Sequence, residues 1–182
     1  ALSFIVFIQD YSLFRAIGVS LFHSVASFNN AGFDIFGGGQ SMVPYTDNIY
    51  LNIITCVLIF FGGIGFLVIQ ELWQKKCQWK KLSMHTKVVL SVSLALIIIG
   101  TLLIKLTEPV SWLCALFHSV STRTAGFASR PIGDFGAPAL LVMIVLMFIG
   151  ASSGSTGGGI KTSTFFVLIR GIFSAATNQS EK

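Results

Sequence analysis

Residues 22–33 of this chain read FHSVASFNNAGF, and residues 117–127 read FHSVSTRTAGF. Both stretches contain FHSV followed by AGF, and the spacing between the two motifs differs by a single residue. Each copy ends a short apolar segment and precedes a longer one. A unit of helix, half-helix, loop and helix that recurs along a chain is typical of channel and transporter architectures.

The composition indicates a membrane protein. Of the 182 residues, 53% are apolar and only 10% are charged, whereas about 25% of the residues in a soluble domain are charged. So few charges cannot cover the surface of a soluble fold, which excludes a cytosolic domain, a disordered chain and a disulfide-rich secreted module. Cys56, Cys77 and Cys114 are far apart and form no metal-binding or disulfide pattern. We therefore predict an all-α polytopic membrane protein made of repeated pore-loop units, like a potassium channel.

Apolar and polar segments divide the chain into two units. In the unit at 1–72 we predict the tail of an upstream helix at 1–8 and a pore half-helix at 12–28. A loop at 29–38 follows, which we call the first loop. The unit ends in a transmembrane helix at 48–72 that is interrupted by Gly62, Gly63 and Gly65. In the unit at 88–182 we predict a transmembrane helix at 88–106, a half-helix that begins at Pro109 and covers 109–121, a loop at 122–128 (the second loop) and a broken transmembrane helix at 136–176.

The charges predict the orientation. The connection at 73–87 is rich in lysine, and by the positive-inside rule it faces the cytoplasm. The first loop carries Asp34 and no basic residue, so it faces outward. The net charge of +5 then reflects membrane topology. We expect no nucleic-acid binding, because a short connection between two membrane spans offers no surface large enough to contact a nucleic acid.

The two loops have the character of an ion-selectivity filter. A half-helix whose C-terminus points toward the membrane centre favours a cation there. The loop that follows can replace the hydration shell of the ion with backbone carbonyls, and glycine permits the dihedral angles that this requires. Neither loop core contains a carboxylate. We therefore predict that the ion contacts the backbone of Asn30, Ala31, Gly32, Phe33, Thr124, Ala125, Gly126 and Phe127.

Three charged or titratable residues lie close to these loops. His23 and His118 are interpreted as hydrogen-bonded groups within the half-helices, in preference to a proton relay or metal ligands. Arg123 is expected either to brace the second loop or to pair with a neighbouring acid, because direct contact with a transported cation would be repulsive.

A second unusual stretch, residues 150–159, reads GASSGSTGGG. It cannot form a stable lipid-facing helix, so it must be buried in protein or line a pore. We expect its hydroxyl groups to bind the backbone of the loop, and Lys161 to extend toward cytoplasmic water. The stretch is not a phosphate-binding loop, because Ile160 separates the last glycine from Lys161.

Three motifs together resemble a known family. FNNAGF at 28–33, SVSTRTAGF at 119–127 and GASSGSTGGGIKTSTF at 150–165 are similar to the Trk/Ktr/HKT superfamily of potassium transporters, and most similar to its KtrB-type membrane subunits. In that family four units of one chain surround a single pore, and each contributes one filter strand with a central glycine. The resemblance implies that this chain covers the end of the second unit and the third, with Gly32 and Gly126 as filter glycines.

The resemblance has further implications for the gate and the partners. It implies that 150–164 is a flexible intramembrane gating loop that contains Gly150, Ser152, Ser153, Gly154, Ser155, Thr156, Gly157, Gly158, Gly159 and Lys161. The implied partners are membrane lipid, a second copy of the subunit in a homodimer and a cytosolic nucleotide-binding ring. No covalent cofactor is implied. Potassium is the implied ion, with sodium as a further candidate for a coupling or regulatory ion.

We therefore predict the potassium-translocating subunit of an uptake system in the cell membrane. Two alternatives remain open: a sodium-permeable or other monovalent-cation transporter of the same architecture, and a membrane scaffold that transports nothing. A scaffold would not need the repeated polar turns. An enzyme is not indicated, because Asp10, Asp34, Asp47 and Asp134 stand singly and suggest no acid–base pair.

Overall fold

The computed structural model describes residues 3–177, and all regular structure within that range is helical. The first unit contains α1 (Phe4–Asp10), α2 (Leu13–Phe28), α3 (Ile49–Ile64) and α4 (Phe66–Gln74). The second unit contains α5 (Met84–Thr107), α6 (Trp112–Ser121), α7 (Ala137–Phe148) and α8 (Thr162–Ala176). Short 3-10 turns lie in the connections at Val43–Tyr45, Trp79–Lys81 and Ile132–Asp134.

Helix α5 is the centre of the second unit. Within residues 3–177 it is the one helix that is long and apolar enough to cross a membrane by itself. It begins at Met84 rather than at 88, because the Ser83 hydroxyl accepts a hydrogen bond from the Thr86 N–H at 3.3 Å and caps the helix. It contacts α6, α7 and α8.

The helix predicted over 48–72 is in fact two helices. Together α3 and α4 are apolar enough to cross a membrane, but their axes differ by 96°. Gly65 lies between them with a φ of 91° and a ψ of 150°, a backbone conformation that side-chain-bearing residues rarely adopt. The glycine therefore ends α3 and turns the chain sharply.

Two boundaries in the second unit also differ from the prediction. Helix α6 begins at Trp112, after Pro109, because the Ser111 hydroxyl accepts a hydrogen bond from the Cys114 N–H at 3.1 Å. Residues 149–161 separate α7 from α8, and we call them the connecting loop. Helix α8 resumes at Thr162, so the interruption is shorter than the predicted 150–164.

The two units share one apolar core. Its main buried cluster takes Phe7, Val19 and Leu51 from the first unit and Phe117 and Phe127 from the second. Helix α2 packs on α3, and α3 packs on α6. This packing brings the two half-helices α2 and α6 to the same region, and with them the loops that follow.

Candidate functional site

The first and second loops lie directly against each other. A Cβ atom built on Gly32 would lie 2.2 Å from the Ala125 carbonyl oxygen and 3.2 Å from the Gly126 carbonyl carbon. Any side chain at Gly32 would therefore displace the second loop. The two AGF motifs, which are far apart in the sequence, are adjacent in the folded chain.

The two loops have the same backbone pattern. In the first loop φ is 52° at Asn30 and 64° at Gly32, and in the second loop it is 137° at Thr124 and 82° at Gly126. A positive φ at a residue other than glycine costs about 1–3 kcal/mol and persists only where the surroundings enforce it. The repeat in the sequence is therefore accompanied by positive φ at corresponding positions, although the φ values of Asn30 and Thr124 differ.

The end of α2 and a distant hydroxyl hold the first loop. The Ala31 N–H donates to the Ala26 carbonyl at 2.9 Å, which continues the hydrogen bonding of the half-helix into the loop. The Asn30 side chain donates through Nδ2 to Thr156 Oγ1 at 2.9 Å. The first loop is thus bonded to the connecting loop of the other unit.

The end of α6 and Arg123 hold the second loop. The Ser121 carbonyl accepts from the N–H groups of Ala125 and Gly126 at 2.9 and 3.1 Å, and the Ser121 hydroxyl donates to the Phe127 carbonyl at 2.5 Å. The Arg123 guanidinium donates to the Gly150 carbonyl at 3.2 Å. Arg123 has no acidic partner within residues 3–177, so it braces the loop, the first of its two predicted roles.

An open cavity of about 850 Å³ lies beside both glycines. Its lining includes Gly32, Asp34 and Gly126. A Cβ atom built on Gly126 would meet no atom within 4 Å, so this glycine borders open space. Gly32 thus packs against the neighbouring loop, whereas Gly126 has free space beside it.

The two repeat histidines are buried but differ in their contacts. His23 Nε2 lies 2.9 Å from the Thr55 hydroxyl, which joins α2 to α3. His118 packs edge-on against the Phe135 ring at 4.7 Å, and its Nε2 has no partner in the described part of the chain. The predicted hydrogen bond is therefore present at His23 only. No group of three or more His, Cys, Asp or Glu residues that could hold a metal ion occurs between residues 3 and 177.

The connecting loop folds back on itself. The Ala151 N–H donates to the Gly158 carbonyl at 3.0 Å, and the Ile160 N–H donates to the Phe148 carbonyl at 3.1 Å. A Cβ atom built on Gly150 would lie 1.9 Å from the Gly158 carbonyl oxygen. The loop therefore forms a narrow turn in which the backbone of one side touches the backbone of the other.

The connecting loop also docks on the break between α3 and α4. The Ser152 N–H donates to the Gly63 carbonyl at 2.9 Å, the Phe66 N–H donates to the Gly154 carbonyl at 3.0 Å, and the Thr156 N–H donates to the Gly62 carbonyl at 3.4 Å. The bend at Gly65 removes these backbone groups from the regular helix ladder. Unpaired groups of this kind are costly at membrane depth, and here each interruption satisfies the other.

The polar side chains of the connecting loop have partners within the protein. The Ser155 hydroxyl donates to the Ser152 carbonyl at 2.5 Å, and Ser153 shares a hydrogen bond with Ser163 at 3.2 Å. Lys161 Nζ donates to the Gly157 carbonyl at 2.8 Å. The lysine is half-buried and caps the loop, and its extension toward cytoplasmic water stays a prediction.

Some residues of this region were not predicted to take part in the site. The sequence marks Gly62, Gly63 and Gly65 as interruptions, but their role as the docking surface for the connecting loop was missed. The carbonyl of Ser93 lies 3.4 Å from Arg123 Nη1, and nothing in the sequence indicates this role for Ser93. A single serine within an apolar helix is unremarkable in a sequence, and only the arginine beside it makes it part of the site.

The repeated half-helices, the adjoining loops and the paired helix breaks define a polytopic membrane protein built from pore-loop units. This chain belongs to the family described as "TrkH: Cation transport protein", which matches residues 2–182. The predicted family membership and the predicted fold class are both confirmed.

Individual relatives agree with this assignment. The chain is 44% identical over 164 residues to the "Ktr system potassium uptake protein B" of Vibrio alginolyticus, which is 81% of this chain and 35% of that protein. It is 36% identical over 176 residues to the "Potassium/sodium uptake protein NtpJ" of Enterococcus hirae, which is 91% of this chain and 38% of that protein. The chain thus spans little more than a third of either relative.

A solved structure has the same fold. The crystal structure of the potassium transporter TrkH from Vibrio parahaemolyticus superimposes with a TM-score of 0.69 at 23% sequence identity, over 88% of this chain and 36% of that chain. At this level of sequence identity the match supports only the assignment of the fold.

Proposed function

We propose that this chain is part of the ion-translocating subunit of a potassium uptake system, and that the first and second loops form half of its selectivity filter. The observation that carries the proposal is the contact between the two loops at Gly32 and Ala125, with positive φ at corresponding positions, beside an open cavity. The names of the relatives, which refer to potassium uptake, support the choice of ion.

The proposed filter uses backbone oxygens. Helices α2 and α6 end at Phe28 and Ser121, immediately before the two loops, so the negative ends of their dipoles lie next to the proposed ion path. The proposed ion-contacting residues are Asn30, Ala31, Gly32, Phe33, Thr124, Ala125, Gly126 and Phe127. Carbonyl groups of such loops replace the water shell of a partly dehydrated cation.

The connecting loop is the proposed gate. Its backbone is held by single hydrogen bonds to Gly62, Gly63 and Phe66, each with a net value of about 0.5–1.5 kcal/mol. A few bonds of this size can be exchanged for others, so two loop conformations can be close in free energy. Lys161, bonded within the loop, acts in the proposed gate as a cap and does not stand in the pore.

Among the alternatives, a sodium-permeable transporter of the same architecture has one specific observation in its favour, since the Enterococcus hirae relative is named for both ions. A scaffold is disfavoured, because it would have no use for two strained and adjoining loops. Enzymatic activity has no support from paired acids or from a metal-binding cluster within residues 3–177.

The proposed setting is the cell membrane, with the basic connection at 73–87 in the cytoplasm. We propose lipid, a second copy of the full-length subunit and a cytosolic nucleotide-binding ring as partners, on the resemblance to the Ktr type and on the name of the Vibrio alginolyticus relative, which refers to a Ktr system. Large apolar side chains on the outside of α2, such as Phe14, are suited to contact with lipid or with the remaining units.

The filter proposal is tested with Gly126→Ser in the full-length parent. A Cβ has space at this position but forces a φ of 82° on a residue that disfavours it, so we expect folding to be retained and the preference for potassium over sodium to fall about 10-fold, equal to about 1.4 kcal/mol. Uptake of both ions is measured in transport-deficient cells. Gly133→Ser is the matched control, because Gly133 has equal space and no positive φ.

Each result has a distinct meaning. Unchanged selectivity in Gly126→Ser would remove Gly126 from the filter. Uptake of sodium without preference for potassium by the parent itself would favour the sodium-permeable alternative. A parent that inserts into the membrane and takes up neither ion would favour the scaffold.

The proposed orientation is tested through Cys77. Among the cysteines of the chain Cys77 is exposed, whereas Cys56 and Cys114 are buried. An impermeant thiol reagent should therefore label Cys77 in inverted vesicles and leave it unlabelled in intact cells, with a Cys77→Ser variant as the blank. Labelling from outside intact cells would reverse the proposed topology.

A further inference from the structure

A second, much smaller cavity lies where the two loops meet helices α3, α5 and α6. It has a volume of about 20 Å³, and its lining includes Asn30 of the first loop, Arg123 and Thr124 of the second loop and Ser93 of α5. A single water molecule requires roughly 10–15 Å³ measured in this way. The cavity therefore has room for one water molecule.

Two buried polar atoms of the lining residues lack a hydrogen-bond partner within residues 3–177. They are the acceptor Oδ1 of Asn30 and the donor Nε of Arg123. The two residues are only 8% and 9% exposed. Buried polar atoms in folded proteins are nearly always paired, either with protein or with ordered water, so a donor and an acceptor beside one water-sized cavity indicate a bridging water.

The remaining bonds of Asn30 fix the orientation of its amide. The Thr156 hydroxyl lies 3.1 Å from the Phe28 carbonyl and 3.3 Å from the Gly62 carbonyl, and it can only donate to either. It must therefore accept from Asn30, which requires the amide nitrogen on that side. The amide oxygen remains for the cavity.

The other nitrogens of Arg123 are similarly occupied. Nη1 lies 3.4 Å from the Ser93 carbonyl, and Nη2 lies 3.2 Å from the Gly150 carbonyl. Nη2 also lies 3.5 Å from the Ser93 hydroxyl oxygen, and Nε is the one guanidinium nitrogen that has no partner among the described residues. A cation is an unsuitable occupant, because the guanidinium charge would repel it at this distance.

We propose that the cavity holds one ordered water molecule that accepts from Arg123 Nε and donates to Asn30 Oδ1, and so bridges the first and second loops. Ser93 and Thr124 are the other hydroxyl-bearing residues of the lining. The water site rests on the geometry alone, whereas its effect on ion preference rests on the function proposed above.

The bridge has a consequence for gating. Asn30 is bonded to Thr156 and Arg123 to Gly150, so the two residues that hold the water also hold both filter loops to the connecting loop. Their side chains have a positioning role, since they act through the loops, whereas the proposed ion contact of Asn30 is made by its backbone. Movement of the connecting loop would break these bonds and loosen both filter loops together, so that ion preference would depend on the state of the gate.

The direct test is a cryo-electron microscopy map of the full-length parent in potassium, at a resolution that shows ordered water. We expect a density peak about 2.7–3.2 Å from both Arg123 Nε and Asn30 Oδ1. A map that shows other buried waters but none here would overturn the proposal. This test needs no variant, so it remains decisive if the substitutions below impair folding.

The energetic test is a double-mutant cycle. Asn30→Ala removes the acceptor, and Arg123→Lys keeps the positive charge but lacks the Nε–H donor. If the bridge exists, the double variant should lose less thermal stability than the sum of the two single losses, because the shared bridge can be lost only once, while the bonds of Asn30 to Thr156 and of Arg123 to Gly150 are lost separately. The control pairs Asn30→Ala with Glu108→Gln, which weakens a hydrogen bond to the Gly136 N–H elsewhere in the second unit, and there the two shifts should add. Additive shifts in the test pair would count against the bridge.

A transport measurement separates the two proposals. Each single variant should lower the preference for potassium over sodium several-fold, and the double variant should lower it by less than the product of the two single effects. A parent without potassium uptake but with the water peak and a coupled cycle would refute the function and leave the site intact. A transporting parent with no peak and additive shifts would refute the water site and leave the function intact.

Discussion

The two units interrupt their final helices in different ways. In the first unit a single residue, Gly65, turns the chain by 96° between α3 and α4. In the second unit the whole connecting loop, residues 149–161, separates α7 from α8. The first break contains no additional residues that could form hydrogen bonds with its own unpaired backbone groups, whereas the second break contains many.

The difference shows how the two breaks depend on each other. The connecting loop provides partners for the backbone groups of Gly62, Gly63 and Phe66 that the bend exposes. In return, the bend gives the loop a surface of glycines that backbone can approach closely. Because polar groups without partners are not tolerated at membrane depth, neither break is expected to be stable without the other.

The largest expected effect distinguishes two neighbouring glycines of the first break. A Cβ atom on Gly62 would lie 1.8 Å from the Phe28 carbonyl oxygen, whereas one on Gly63 would make only ordinary contacts at 4.0 Å. We expect Gly62→Ala to lower the free energy of unfolding by about 1–3 kcal/mol or more. We expect Gly63→Ala to leave it unchanged or to raise it by up to about 1 kcal/mol.

Thermal unfolding of the detergent-solubilised parent measures both variants. Equal losses in the two would mean that the close approach of α3 to the end of α2 does not constrain the break.

The next effect distinguishes two glycines of the second break. A Cβ atom on Gly150 would lie 1.9 Å from the Gly158 carbonyl oxygen, but one on Gly158 would meet nothing within 4 Å. We expect Gly150→Ala to open the folded loop and to raise the maximal potassium uptake rate roughly 2- to 10-fold, the effect of losing one hydrogen bond of about 0.5–1.5 kcal/mol. Gly158→Ala is the matched control and should transport normally.

Initial uptake rates at saturating potassium check this prediction. Loss of transport by a correctly inserted Gly150→Ala protein would show that the loop is a structural support and would remove it as the gate.

The smallest expected difference between paired variants compares bonds between the breaks with bonds inside one of them. The Thr156 side chain is bonded to Asn30 of the other unit, whereas the Ser155 side chain is bonded to Ser152 within the loop. We expect Thr156→Val to lower the free energy of unfolding by about 1–3 kcal/mol, because it leaves Asn30 without an acceptor. Ser155→Ala should cost about 0.5–1.5 kcal/mol.

Chemical or thermal unfolding of the two variants is compared in the same detergent. A larger loss for Ser155→Ala than for Thr156→Val would indicate that the loop is held by its own bonds and not by the first unit.

Much of the architecture was predictable from the sequence. The low charge and long apolar runs indicate membrane helices, and the repeated FHSV and AGF motifs identify the two loops that the fold places together.

Other features were not predictable. Pro109 and Ser111 are both acceptable signals for the start of a helix, and the serine cap decided the start of α6. Gly62, Gly63 and Gly65 mark an interruption of the apolar run, but glycines are also compatible with a nearly straight helix, so the 96° angle of the turn at Gly65 was not predictable.

The sequence by itself determined the class of fold, the repeat and the positions of the unusual turns, because helix periodicity, apolar length and glycine content act over a few neighbouring residues. Only the tertiary structure decided that Gly32 faces the second loop while Gly126 borders open space, that the connecting loop docks on the bend at Gly65, and that Asn30 and Arg123 share a cavity. These contacts join residues from different units, and they form only when all the helices between them are packed at once.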